Sequence, residues 1–123
     1  MNTLKIMIAG CREYTNYEEA AAYLDEQILP YIAGRTVTVL SGACRGADLL
    51  GERYAREHGW AIEQFPADWN RYGKSAGIRR NQTMIDAADV VVCFWDGASR
   101  GTKFNVEYTK KLGKPLYVKH ITP

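Results

Sequence analysis

"VVVCFWDGASRGT", residues 90–102, runs through six apolar residues without a polar interruption and then turns through two glycines, a serine, a threonine and an arginine. A strand with one face in water alternates polar and apolar side chains. A strand with no alternation is covered on both faces, as in the parallel sheets of α/β proteins. The turn leads directly into a helical pattern with Phe104, Tyr108 and Leu112 along one stripe. A structural turn needs one or two such small residues, whereas a turn that meets an anion with backbone N–H groups uses nearly all of them.

Working outward from this stretch, the same succession of apolar run, turn cluster and helical pattern recurs. It predicts strands at 4–9, 36–40, 61–65, 90–95 and 116–120. Between the first two strands, Ala21, Leu24, Ile28 and Tyr31 or Ile32 mark one helical face. Thr15 and Glu18 resemble a capping box, Pro30 should end or kink the helix near Leu29, and Gly34 closes the segment. A second helix is expected over 47–58 with Ala47, Leu50 and Tyr54 inward, and a third over 75–87 with Ile78 and Ile85 inward. The longest irregular segment is "FPADWNRYGKSA", residues 65–76.

This alternation implies right-handed crossovers and a single Rossmann-like α/β domain spanning residues 1–123, with a five-stranded, mostly parallel sheet in the order 3-2-1-4-5 and helices on both faces. Ligands of such sheets bind at the carboxyl ends of the strands beside the switch point, here between strands 1 and 4.

The chain has 123 residues, 46% of them hydrophobic and 24% charged, with a formal net charge of +2. That balance fits an ordinary globular domain, and the scattered Lys and Arg residues form no stripe of the kind that binds duplex nucleic acid. No apolar run is long enough for a membrane span and no signal-peptide pattern opens the chain, so a cytoplasmic protein with no membrane partner is expected. Cys11, Cys44 and Cys93 are too widely spaced for a disulfide framework or a zinc site, and are expected as free thiols with no metal and no cofactor. His58 and His120 have no metal-ligating company in the sequence.

Three turns share the carboxyl edge: "AGCRE" (9–13), "SGACRGAD" (41–48) and "DGASRGT" (96–102). Each joins glycine to an arginine, Arg12, Arg45 or Arg100, and the last two open helices whose first N–H groups are unpaired. Together they describe an anion pocket, although neither a Walker loop nor the dinucleotide fingerprint G-x-G-x-x-G occurs. A fourth element, "AGIRRNQTM" (76–84), places Arg80 and Met84 on one helical face. The plain alternative makes Arg80 a solvated charge and Met84 core filler.

The combined pattern resembles the SLOG superfamily, in particular its YspA/YpsA-related branch. The resemblance is carried by Gly10 and Arg12; Ser41, Gly42, Arg45, Gly46, Ala47 and Asp48; Pro66 to Trp69, Tyr72 and Gly73; Ala76, Gly77, Arg80, Asn81 and Met84; and Asp96, Gly97, Ser99, Arg100, Gly101 and Thr102. It implies a Rossmann-like fold that binds nucleotides or nucleotide-derived molecules, often as a homodimer. Relatives of the LONELY GUY type are phosphoribohydrolases, and others sense NAD-derived signals or bind DNA.

Two departures bear on chemistry. In the hydrolases the loop P-G-G-x-G-T-x-x-E ends in a glutamate three residues past its threonine; here that position holds Asn105, which cannot act as a carboxylate base. Glu107 is rotated by about 140° from Thr102 on a helix and lies roughly 7.5 Å along the axis. Asp48 and Asp96 are better placed, to hold a ribose hydroxyl or act as a base, and with Arg80 they are the catalytic candidates. The second departure is Cys11 and Cys44, which stand where the branch usually has small residues.

Trp69, in the long loop, either stacks on a purine or plugs the sheet edge or a dimer contact. The leading functional expectation is a binding module for a mononucleotide or an ADP-ribose-like signal. Its phosphate would rest on the N–H groups of the second and third turns, helped by Arg45, Ser99, Arg100 and Thr102, with Arg80 turned to the same site. The alternative is a nucleoside monophosphate phosphoribohydrolase. Binding of single-stranded nucleic acid is disfavoured by the low net charge.

Overall fold

A computed structural model describes residues 3–123, and the central sheet it contains is built around the apolar run. Five parallel strands, β1 (Thr3–Gly10), β2 (Thr36–Ser41), β3 (Ala61–Gln64), β4 (Val90–Trp95) and β5 (Leu116–His120), lie in the order β3-β2-β1-β4-β5. The sheet and its order are those the alternation predicts.

Residues 90–94 of β4 are all buried because successive side chains enter opposite layers. Val90, Val92 and Phe94 join Ile6, Ile8, Leu24, Val39 and Tyr54 on one face of the sheet. Val91 and Cys93 join Met7, Leu40, Met84, Ile85 and Val106 on the other. The first layer is covered by α1 (Tyr17–Gln27), α2 (Leu29–Ile32) and α3 (Ala47–Glu57), the second by α5 (Ala76–Ala87) and α6 (Arg100–Leu112).

Local differences from the sequence reading have identifiable causes. The first helix is capped by Asn16, whose side-chain oxygen accepts from the Glu19 amide at 3.1 Å, and not by a Thr15–Glu18 box. Pro30 has no N–H to return to Glu26, and the helix breaks at Ile28 before resuming as α2. Segment 65–76 is not irregular throughout: it holds the single turn α4 (Trp69–Tyr72), capped by Asp68, and a 3-10 turn, Gly73–Ser75.

Two residues expected inward are exposed. In α5 the buried stripe runs through Ala76 and Met84, and Ile78, about 200° around the helix from Ala76, faces away. In α6 the buried residues are Thr102, Asn105, Val106 and Thr109, while Phe104 and Tyr108 stack on each other half-buried and Leu112 is exposed. A helix with a polar buried stripe near its N-terminus has that end turned toward something other than apolar core.

Candidate functional site

The strands β1 and β4 end side by side, and the chain leaves them in opposite layers, so a crevice opens between their loops. Gly10 makes this approach possible: a Cβ there would lie 2.2 Å from the Phe94 carbonyl oxygen. Beyond it the Cys11 amide donates to the same carbonyl at 3.1 Å, fastening the two loops together. Gly46 performs a second close approach, with φ of +83° and a position whose Cβ would meet the Cys11 and Arg12 carbonyl oxygens at 2.4 Å. The Ala47 amide then donates to the Cys11 carbonyl, so the first loop is clasped by both of its neighbours.

The crevice is a cavity of about 390 Å³. Its floor is Ala9 and Gly10, and its walls carry Arg12 and Asp48, Arg80 and Asn81, and the run of Asp96, Ser99, Gly101 and Thr102. Residues of all three turns and of α5 therefore converge, as the shared edge requires.

Arg80 has a definite task in the wall. Its Nη1 donates to the carbonyls of Gly42 (2.8 Å) and Phe65 (3.3 Å), its Nε donates to Asn81 Oδ1 (2.8 Å), and its Nη2 lies 3.7 Å from Cys44 Sγ. One guanidinium thus ties the ends of β2 and β3 to α5 while bordering the cavity. Asp48 packs beside it: a methyl group added at Gly42 would lie 2.7 Å from Asp48 Oδ2 and 2.9 Å from Arg80 Nη1. Asp48 Oδ2 also accepts from the Cys44 amide at 3.2 Å. Burial pushes its carboxyl up to about 6, against the lowering effects of that amide and of the Arg80 charge.

Asp96 is in the opposite condition. Its Oδ1 accepts from the amides of Ser99 and Ala98, each at 2.8 Å, and these bonds hold the carboxyl below the usual aspartate range. Burial, meanwhile, pushes the neighbouring Cys11 thiol up. The third turn is thereby shaped by its own aspartate, and the first amides of α6, residues 100–102, stay at the cavity end of the helix with its partial positive charge.

The second turn behaves differently. Its Ala43 amide donates to Ser41 Oγ, its Cys44 amide to Asp48 and its Ala47 amide to Cys11, so these donors are used inside the protein. Ser41 is fully buried, with its hydroxyl donating to Glu52 at 2.7 Å. The turn supplies wall, through Cys44 and Asp48, and not a cradle of amides.

Other predicted residues lie off the cavity. Arg45 pairs with Glu13 at 2.5 Å, both side chains being well exposed. Gly42 and Gly46 shape the second turn without bordering the cavity, and Gly97, at φ +86°, sits against the His120 ring. Arg100 is exposed at the start of α6, outside the cavity lining. Trp69, 51% exposed, rests its ring edge near Gly77, away from the lining. Cavity residues the sequence reading did not select are Ala9, Cys11, Glu13, Cys44, Asn105 and Pro123. Asn105, noted in the sequence only as the amide at the hydrolases' glutamate position, follows Thr102 by one helical turn on the face that bears the third loop.

The architecture and the crevice define a Rossmann-like domain with a ligand-sized cavity, bordered by charged and polar side chains, at the carboxyl rim of its sheet. Residues 4–72 match the model of the YspA, cpYpsA-related SLOG family, and the chain belongs to that family. It is 38% identical over 120 residues to the Gene 61 protein of Mycobacterium phage D29, covering 91% of this chain and 93% of that protein. Among solved structures it resembles TM1055, a structural-genomics target, with a TM-score of 0.62 at 20% identity over 94% of this chain and 72% of that one. It also resembles DNA processing protein A from Helicobacter pylori, whose structure concerns single-stranded DNA binding, with a TM-score of 0.64 at 21% identity over 94% of this chain and 64% of that one. At these identities the two structures speak to the fold. Among the described residues no helix is long and apolar enough to cross a membrane, and no cluster of potential metal ligands occurs.

Proposed function

We propose that the protein binds a nucleotide or nucleotide-derived molecule in the β1–β4 crevice, as a sensor or sequestering protein. The observation that carries this is the pairing of a cationic wall, Arg12 and Arg80, with the N-terminal end of α6 across one cavity. The anionic group belongs between Arg12 and the 99–102 segment, and the uncharged part of the ligand extends toward Asp48 and Asn81. A volume of about 390 Å³ lies in the lower part of the roughly 300–1,000 Å³ range of ligand pockets. It therefore favours a mononucleotide over a larger ADP-ribose-like molecule.

Mass spectrometry of small molecules that co-purify with the protein, followed by a thermal-shift panel of mononucleotides and ADP-ribose derivatives, tests this reading. A selective rise in melting temperature and recovery of the compound unchanged support it. No rise with any member of the panel overturns it. The family resemblance favours a homodimer, and light scattering of the purified chain tests it.

A second reading is favoured by one feature, the Asp48 carboxyl raised to about 6 at the cavity wall. Such a group is suited to proton transfer near neutrality. In a phosphoribohydrolase it would take a proton from the water that attacks the anomeric carbon as the base departs. Release of adenine from AMP, lost in Asp48→Asn, is the expected result; AMP recovered intact at stoichiometric enzyme excludes it. Single-stranded DNA, suggested by the fold likeness, is weighed against by the net charge of +2.

A further inference from the structure

Asn105 is 3% exposed and borders the cavity from the second turn of α6. Its Oδ1 is the one buried side-chain oxygen among the described residues that has no hydrogen-bond partner. Its neighbours on the same buried stripe are satisfied: Thr109 Oγ1 donates to the Asn105 backbone carbonyl at 2.6 Å, and Thr102 Oγ1 lies 3.4 Å from Ser99 Oγ. A buried, unpartnered carbonyl is costly and rare, and such a group in a native structure calls for a reason. The sheet-facing stripe of α6 would accept an apolar side chain here, as it accepts Val106 at the next position.

We propose that Asn105 is a specificity-determining residue whose side-chain carbonyl accepts a hydrogen bond from a sugar hydroxyl of the bound molecule. An amide oxygen accepts and cannot donate, so a fully ionised phosphate offers it nothing. To satisfy Oδ1, the part of the ligand that reaches it must carry an O–H or N–H. The anion-attracting groups, Arg12, Arg80 and the start of α6, border the same cavity as Asn105, so a single ligand that carries both an anionic group and a neutral donor can engage both. A pentose phosphate has both within one short molecule. Asp48, which borders the same cavity, is available to a second hydroxyl of the same ring. The inference rests on the nucleotide reading above and adds to it the requirement for a hydroxyl.

The test compares AMP, 2′-deoxy-AMP, 3′-deoxy-AMP and inorganic phosphate by calorimetry on the wild type and on Asn105→Leu, a replacement of similar volume without polar atoms. The wild type should bind AMP at least tenfold more tightly than one of the deoxy analogues. Asn105→Leu should bind AMP no more tightly than the wild type binds that analogue, with its affinity for the analogue unchanged. Free Asn105→Leu should melt no lower than the wild type, because it removes an unpaired buried carbonyl. A structural role, such as holding an internal water, would instead lower the melting temperature, and that outcome overturns the inference. Equal wild-type affinity for AMP and both deoxy analogues overturns it too, as does undiminished discrimination in the variant. Failure of the wild type to bind any of the nucleotides removes the nucleotide reading and this inference together, a result distinct from the other three.

Discussion

Replacing Asp48 by asparagine should make the free protein more stable at neutral pH. Asp48 is buried, and desolvation raises its carboxyl from an ordinary 3.8 to about 6 even though Arg80 and the Cys44 amide favour its charge. At about 1.36 kcal/mol per pH unit, this corresponds to about 3 kcal/mol of folding free energy lost when the group must be ionised. Folding favours the protonated carboxyl. Its stabilising contribution is therefore fully present below about pH 4 and is lost as pH rises through about pH 6. Asparagine has no such titration and retains an oxygen to accept from the Cys44 amide. The difference between variant and wild type should be near zero at pH 4 and approach about 3 kcal/mol at pH 7.5, or about 10 °C in melting temperature for a chain of this size. Urea unfolding of both proteins across that pH range measures it. A variant no more stable than wild type at pH 7.5, or a gap that does not close on acidification, would refute the reasoning. A carboxylate kept at such a cost beside a cavity is the pattern expected where function opposes stability.

Other substitutions separate scaffold from site. Gly46→Ala combines a left-handed backbone with contact against two carbonyl oxygens, and urea unfolding should show a loss of at least about 3 kcal/mol. Arg12→Ala, at an exposed position on the cavity, should leave the melting temperature unchanged but weaken AMP binding by about 10- to 100-fold, the worth of a charge-assisted hydrogen bond. Its calorimetric affinity should also depend less steeply on salt. Arg45→Ala removes only an exposed ion pair, and Trp69→Ala an indole that lies off the cavity. Both should bind AMP as the wild type does, and a tenfold loss in the Trp69 variant would return that ring to the site.

The sheet was legible because its evidence is local and repeated. An apolar run such as 90–95 is long enough to span a sheet and has no polar face, and only a two-layered environment buries residues 90–94 of it completely. The edge that carries the three turns follows from alternation and handedness. The orientation of individual side chains within those turns was not legible. Arg12, Arg45, Arg80 and Arg100 look alike in a string of letters, yet two of them border the cavity and two do not. Arg45 is drawn to Glu13, and Arg80 to carbonyls of Gly42 and Phe65 that lie 38 and 15 residues away in sequence.

The sequence by itself determined the parallel α/β architecture, the strand order and the loops that meet at the carboxyl rim, because hydrophobic period and turn chemistry are properties of neighbouring residues. Only the tertiary structure decided which donors of those loops are used internally, which charges face the crevice, and that the Asn105 side-chain carbonyl lacks a partner. Hydrogen-bond satisfaction and desolvation depend on groups brought together from distant parts of the chain, and no local pattern encodes their final distances.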